Sequence, residues 1–233
     1  MNRRTTVVIS SILGVSLYAG ILTSGNSGKV IELVFSRIVF QPGMAQYLQR
    51  FFASALLLGL VPVSATIFCR IPLVEIGLSK PVRLGRWWFA AYIAAGALVG
   101  LAGYFDTELA SFYPYHPDIQ TSGTFVIHAS LYFVLYYIPW ELTFRGFMIV
   151  LVTKPLVDEN PEKYASLIIM IAMLQAAPSA ILHYGHPISE TIGAAFFGLI
   201  AGFITVKSRS IFPALAIHAS TGITLDLLLV VKG

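Results

Sequence analysis

The chain has 233 residues, 57% of them hydrophobic and 11% charged, and its mean hydropathy is +0.79. Soluble domains carry about 25% charged residues, so the composition excludes a soluble globular protein and points to an integral membrane one. The net charge of +4 comes from Lys and Arg gathered in loops, which speaks for membrane topology and against a nucleic-acid partner.

The lone Cys69 excludes an intramolecular disulfide and supplies no metal site by itself. Each segment in lipid must satisfy its own backbone, and the apolar runs are long and unbroken. The fold class read from this is all-α, a polytopic membrane helical bundle of about seven transmembrane helices.

Met1–Arg4 is basic and Val7–Leu22 apolar, but Thr23-Ser24-Gly25 lacks an A-x-A cleavage site, so this segment reads as a first span. Lys29–Phe40, broken by Glu32 and Arg37, is short for a span and suits the interface. Ala45–Phe68 is the second span, with Arg50 snorkelling near its start. Cys69–Arg86 is the most basic loop and is expected to be cytoplasmic.

Trp87–Tyr104 is the third span and holds Gly96-x3-Gly100, a close-packing pattern. Phe105–Gly123 carries Asp106, Glu108 and Asp118 but no Lys or Arg, and should face outward. Thr124–Val152 is the fourth span, followed by a short charged turn at Lys154–Lys163. Tyr164–Leu182, Ile188–Val206 and Ile211–Val231 complete the set, with Gly198-x3-Gly202 in the sixth. An N-terminus in the cytoplasm puts Arg3/Arg4, Arg70–Arg86 and Lys207/Arg209 on one side. The chain reads as prokaryotic, in a cell inner membrane.

Polar residues inside these spans are the functional signal. Glu141 and Arg145 sit four apart in the fourth span, on one helix face where they can pair. Each charge costs roughly 3 kcal/mol at the centre of a spanning helix, and membrane helices seldom keep such residues idle. Pro139 removes a backbone donor beside the glutamate and predicts a bend. His183, His186 and Glu190 cluster where the fifth span ends, and His218 and Asp226 share a face of the last span. His116 and His128 read as ordinary polar positions.

A carboxylate in a partly dry cavity can hold water as a general base, a histidine can share the proton, and a second donor can stabilise an oxyanion. Those parts suffice for hydrolysis of an amide without a Ser or Cys nucleophile. The same groups could bind zinc, but no H-E-x-x-H occurs, so no cofactor is expected.

These residues resemble the CPBP family of intramembrane proteases, which includes type II CAAX prenyl endopeptidases and bacteriocin-processing or self-immunity proteins. The family pattern is E-E-x-x-x-R, then F-x-x-x-H, then H-x-x-x-N or D. Here the first motif reads Trp140-Glu141-Leu142-Thr143-Phe144-Arg145 followed by Gly146, and the last reads His218-Ala219-Ser220-Thr221-Gly222. The middle one is either Leu182-x3-His186 or His183 with Ser179 in the Phe place, and His183 is preferred. Val74–Ser79 looks like the family's amphipathic lead-in, and the resemblance runs from about Val74 to Leu229. It divides the chain into N-terminal transmembrane helices, 1–73, and a CPBP-like core, 74–233. Trp140 in place of the first glutamate and Gly222 in place of the last Asn or Asp mark a divergent branch.

The resemblance implies that Glu141 serves as base or supports one, Arg145 orients it, His183 shares in water activation and His218 stabilises the oxyanion. Glu190 or Asp226 would stand in for the missing carboxylate. The implied partners are the lipid bilayer and a membrane-associated peptide or protein substrate. Two other classes stay open: a non-catalytic CPBP-like scaffold or immunity protein, and, lacking any internal repeat, a proton-coupled transporter. One tension remains, because Glu141 lies in mid-span and His183 near a span end.

Overall fold

The apolar runs fold as helices in a computed structural model that describes residues 2–23, 51–82, 84–113, 122–183 and 185–232. The interfacial segment at Lys29–Phe40, Arg50, His116 and Asp118 lie outside the described residues. Helix α1 is Arg3–Thr23 and α2 is Phe51–Phe68. Helix α3 is Trp88–Tyr104, and α4 is the short Thr107–Phe112. Helix α5, Thr124–Glu159, is the longest at 36 residues, and α6 is Ala165–Ile181. Helices α7 and α8 are Ile188–Ser208 and Phe212–Lys232.

Five of these are long and apolar enough to cross a bilayer, and α3 and α6 are shorter apolar helices. Together they stand at the seven expected places, and no strand occurs among the described residues. Leu98, Ile127, Leu174 and Ile181 are exposed, as a lipid-facing surface requires. The chain is a multi-pass membrane protein.

Proline shapes this bundle through the carbonyls it frees. Proline cannot bond the carbonyl four residues earlier. Pro62 in α2 thereby leaves the Leu58 carbonyl open, and Thr143 Oγ1 of α5 donates to it at 2.5 Å. Pro155 likewise frees the Leu151 carbonyl, which accepts from Arg4 Nη1 at 2.9 Å. With that group satisfied, α5 runs on through Pro155 to Glu159, a correction to the charged turn expected from Lys154. Around Pro139, α5 widens into π-helical stretches at Phe133–Tyr137 and Leu142–Val150. Such widened turns recur at functional sites.

The core gathers on α5. Trp140 and Phe144 pack with Val15 and Tyr18 of α1 and Leu58 of α2, while Phe147 and Leu151 pack with Val7 and Ile211. The lead-in folds as a 3-10 turn, Leu73–Ile76, closed by Gly77 at φ 78°. A Cβ at Gly146 would lie 2.7 Å from the Ile76 carbonyl oxygen, so glycine there lets the lead-in press against α5. Small residues do the same elsewhere. A Cβ at Gly96 would sit 2.3 Å from the Ile217 carbonyl oxygen, so α3 packs backbone to backbone on α8.

The basic segments meet at one end of the bundle. Arg4 and Lys154 both pair with Glu75, and Arg209 pairs with Asp158 at 2.7 Å. That agrees with the one-sided distribution of Lys and Arg in the sequence. Residues 105–113, after α3, reach the start of α7 through Tyr113 and Glu190.

Candidate active site

Glu141 lies on the single α-helical turn between the two widened stretches, fully buried. Its Oε1 is 2.7 Å from His218 Nδ1 on α8. Its Oε2 is 3.2 Å from Arg145 Nε, at ion-pair distance but without hydrogen-bond geometry. The Arg145 guanidinium is also fully buried and lies 4.9 Å above the Phe197 ring of α7, while Nη1 and Nη2 have no hydrogen-bond partner among the described residues. Phe197 packs on His218 as well, at 5.0 Å between ring centres. The acid is therefore held from two sides, by a guanidinium and an imidazole.

His183 comes to this group from the turn after α6. Helix α6, Ala165–Ile181, is only about 25 Å long at 1.5 Å per residue, against about 54 Å for α5. Its end thus falls beside the middle of α5, which removes the tension between a mid-span acid and a histidine at a span end. The rings of His183 and His218 lie 5.5 and 6.2 Å from the Trp140 ring. His183 Nδ1 is 2.8 Å from the Ser179 carbonyl oxygen, so Nδ1–H donates and Nε2 is left as acceptor.

His183 and His218 line a cavity of about 680 Å³. Glu141 and Arg145 stand behind this wall. His218 presents its side chain to the cavity with 17% exposure, whereas Glu141 has none. With Nδ1–H of His218 donating to Glu141, the His218 Nε2 is the acceptor nitrogen. The site thus offers two imidazoles, each held at Nδ1 by an oxygen behind it.

The other expected residues separate. His186 packs on the Phe112 ring at 4.9 Å, and its Nδ1 is 3.0 Å from Glu190 Oε1. Glu190 also accepts from Tyr113 Oη at 2.7 Å, and it lies 3.8 Å from His183 Nε2. Asp226 lines the same cavity as His218, but its partner is His128 Nε2 of α5 at 3.0 Å. His128 reads in the sequence as an ordinary polar position, whereas the fold buries it in this pair.

Two further groups went unrecognised. Trp140, 2% exposed, lines the cavity with an indole Nε1–H that has no hydrogen-bond partner among the described residues. Tyr137 lines it too, and a Cβ on Gly222 would lie 1.8 Å from its hydroxyl oxygen. The missing side chain at 222 is therefore the space that Tyr137 occupies. For Trp140 the signal was present: Tyr132, Tyr136, Trp140 and Phe144 recur every four residues, an aromatic face. Among the described residues no three His, Cys, Asp or Glu side chains converge closely enough to hold a metal ion.

No curated protein and no solved structure matches the chain. The family model described as type II CAAX prenyl endopeptidase Rce1-like matches residues 121–224, rather less than half of the chain. That stretch contains Trp140, Glu141, Arg145, His183, His218 and Gly222 and stops short of Asp226. Over residues 121–224 the chain is similar to the Rce1-like membrane endopeptidases, in agreement with the resemblance that its motifs carry to the CPBP family of membrane proteases.

Proposed function

We propose that this protein is an intramembrane endopeptidase that hydrolyses a peptide bond of a membrane-associated peptide or protein, using water activated by imidazole. The observation that carries the reading is the Glu141–His218 couple at 2.7 Å, with the histidine lining a cavity and the carboxylate buried behind it. A carboxylate behind an imidazole fixes its tautomer and stabilises the imidazolium formed when it takes a proton.

In this reading His218 Nε2 removes a proton from a cavity water as that water attacks the scissile carbonyl. Glu141 and Arg145 are positioning residues, acting through His218. His183 accepts a hydrogen bond at Nε2 and helps to hold the water. Trp140 Nε1–H and the Tyr137 hydroxyl are donors for the developing oxyanion, a task for which preorganised neutral donors in a dry site are well suited. Proton return from His218 to the leaving amine completes the step, and no metal takes part.

The test is cleavage by the purified chain in liposomes, followed with quenched fluorescent peptides that carry an apolar membrane segment. Cleavage by the wild type, loss of at least about a thousandfold in His218→Ala, and indifference to chelators are expected. Full activity in His218→Ala would overturn the mechanism. Trp140 and Gly222 favour a second reading, a non-catalytic relative with the same fold. It predicts no cleavage by the wild type and an unaltered cellular phenotype in His218→Ala.

A further inference from the structure

The cavity is chemically one-sided. Asp106, Glu190 and Asp226 line it, and among the described residues no lysine or arginine does. In the sequence, residues 105–123 also carry acids without a basic residue. Asp106 is already engaged, because its Oδ1 caps α4 by accepting from the backbone N–H of Glu108 and Leu109 at 2.9 and 3.2 Å.

The other two carboxylates are each half used. Oε1 of Glu190 serves Tyr113 and the two nearby histidines, while Oε2 is buried with no hydrogen-bond partner among the described residues. Oδ2 of Asp226 meets His128, while Oδ1 is likewise buried with no hydrogen-bond partner among the described residues. Asp226 itself is 2% exposed. A carboxylate only accepts, and leaving a buried acceptor empty costs about 1–3 kcal/mol, more when it is charged. Both carboxylates line one cavity, and among the described residues no donor serves these two oxygens. Tyr136, Tyr137 and Trp140 add aromatic rings to the same wall. Aromatic faces attract organic cations.

We infer that the cavity binds a cationic group of its peptide substrate, an ammonium or guanidinium, at the unpartnered carboxylate oxygens of Glu190 and Asp226. The inference rests on the endopeptidase reading for the word substrate, but the binding chemistry stands without turnover. An ammonium has three N–H donors, enough for both oxygens with one left over for water or a ring. A metal ion would need a third ligand, and no such trio converges among the described residues. The cation is either a lysine or arginine side chain near the scissile bond or a free terminal amine.

The experiment is calorimetric titration of the full chain in lipid nanodiscs with phenethylammonium chloride and, separately, with 2-phenylethanol. The amine is expected to bind at least tenfold more tightly than the alcohol. Glu190→Gln and Asp226→Asn are each expected to reduce that preference at least threefold. Asp226→Asn could disturb its pairing with His128, so Glu190→Gln with an unchanged melting temperature is the deciding variant. Equal binding of amine and alcohol, or an unchanged preference in Glu190→Gln, overturns the inference.

Binding needs no catalysis, so the amine preference is read without any peptide substrate. Amine binding without peptide cleavage would sink the endopeptidase reading alone, and cleavage without amine preference would sink this inference alone. Peptides that differ by lysine or norleucine, and by a free or acetylated amino terminus, then assign the cation to side chain or terminus.

Discussion

Nδ1 of His218 lies 2.7 Å from Oε1 of Glu141, and the carboxylate has no exposed surface. The histidine faces the cavity and the acid does not. In the proposed mechanism that relationship reverses the simplest division of labour between them, the acid acting through the imidazole and the imidazole meeting the water.

The donors opposite are open to test. Trp140→Phe keeps most of the packing against Phe144 and His183 but deletes the indole N–H. Removing one oxyanion donor costs roughly a hundred- to a thousandfold in kcat. Trp140→Phe and Tyr137→Phe should therefore each lower kcat by at least tenfold with KM changed less than threefold. Steady-state kinetics in liposomes would show it, and a loss confined to KM would reassign both groups to substrate binding.

Glycine at 222 makes room for Tyr137. A methyl group there would meet the phenolic oxygen at 1.8 Å. Overpacking of this kind destabilises by about 1–3 kcal/mol. Gly222→Ala should lower the melting temperature in detergent, and adding Tyr137→Phe should recover part of the loss. No recovery would mean that another contact sets the requirement for glycine.

The carbonyl freed by Pro62 gives a paired test of stability. Thr143→Val deletes the hydroxyl that serves the Leu58 carbonyl. A buried acceptor left unmatched costs about 1–3 kcal/mol. Pro62→Ala in that background restores the helical donor, so the double variant should be more stable than Thr143→Val alone. Thermal or denaturant unfolding in detergent reads the difference, and additive losses would contradict it.

Much of this fold is legible in the sequence because a bilayer leaves a chain few options. Apolar runs of about 20 residues name the spans, and Gly96-x3-Gly100 names a helix contact that forms, on α8. Lys154–Glu159 was misread as a turn because Pro155 breaks a helix only when the freed carbonyl finds no other donor, and Arg4, 147 residues away, is that donor. The Glu141–Arg145 pair is local and followed from their spacing. The Asp226–His128 pair, 98 residues apart, did not, since periodicity puts a residue on a face without saying which helix faces it. Tyr137 was hidden for the same reason: a glycine in a motif reads as something missing until its neighbour is known.

The measurement that bears most directly on the central claim is a double-mutant cycle on the Glu141–His218 couple, read as kcat for cleavage of a membrane peptide. Residues that work as one unit are strongly non-additive. The account predicts that His218→Ala removes activity nearly to the uncatalysed level, that Glu141→Gln removes a large part of it, and that the double variant is no slower than His218→Ala alone. Losses that multiply in the double variant would mean that the acid and the imidazole act on water separately, and the couple would lose its place at the centre of the mechanism.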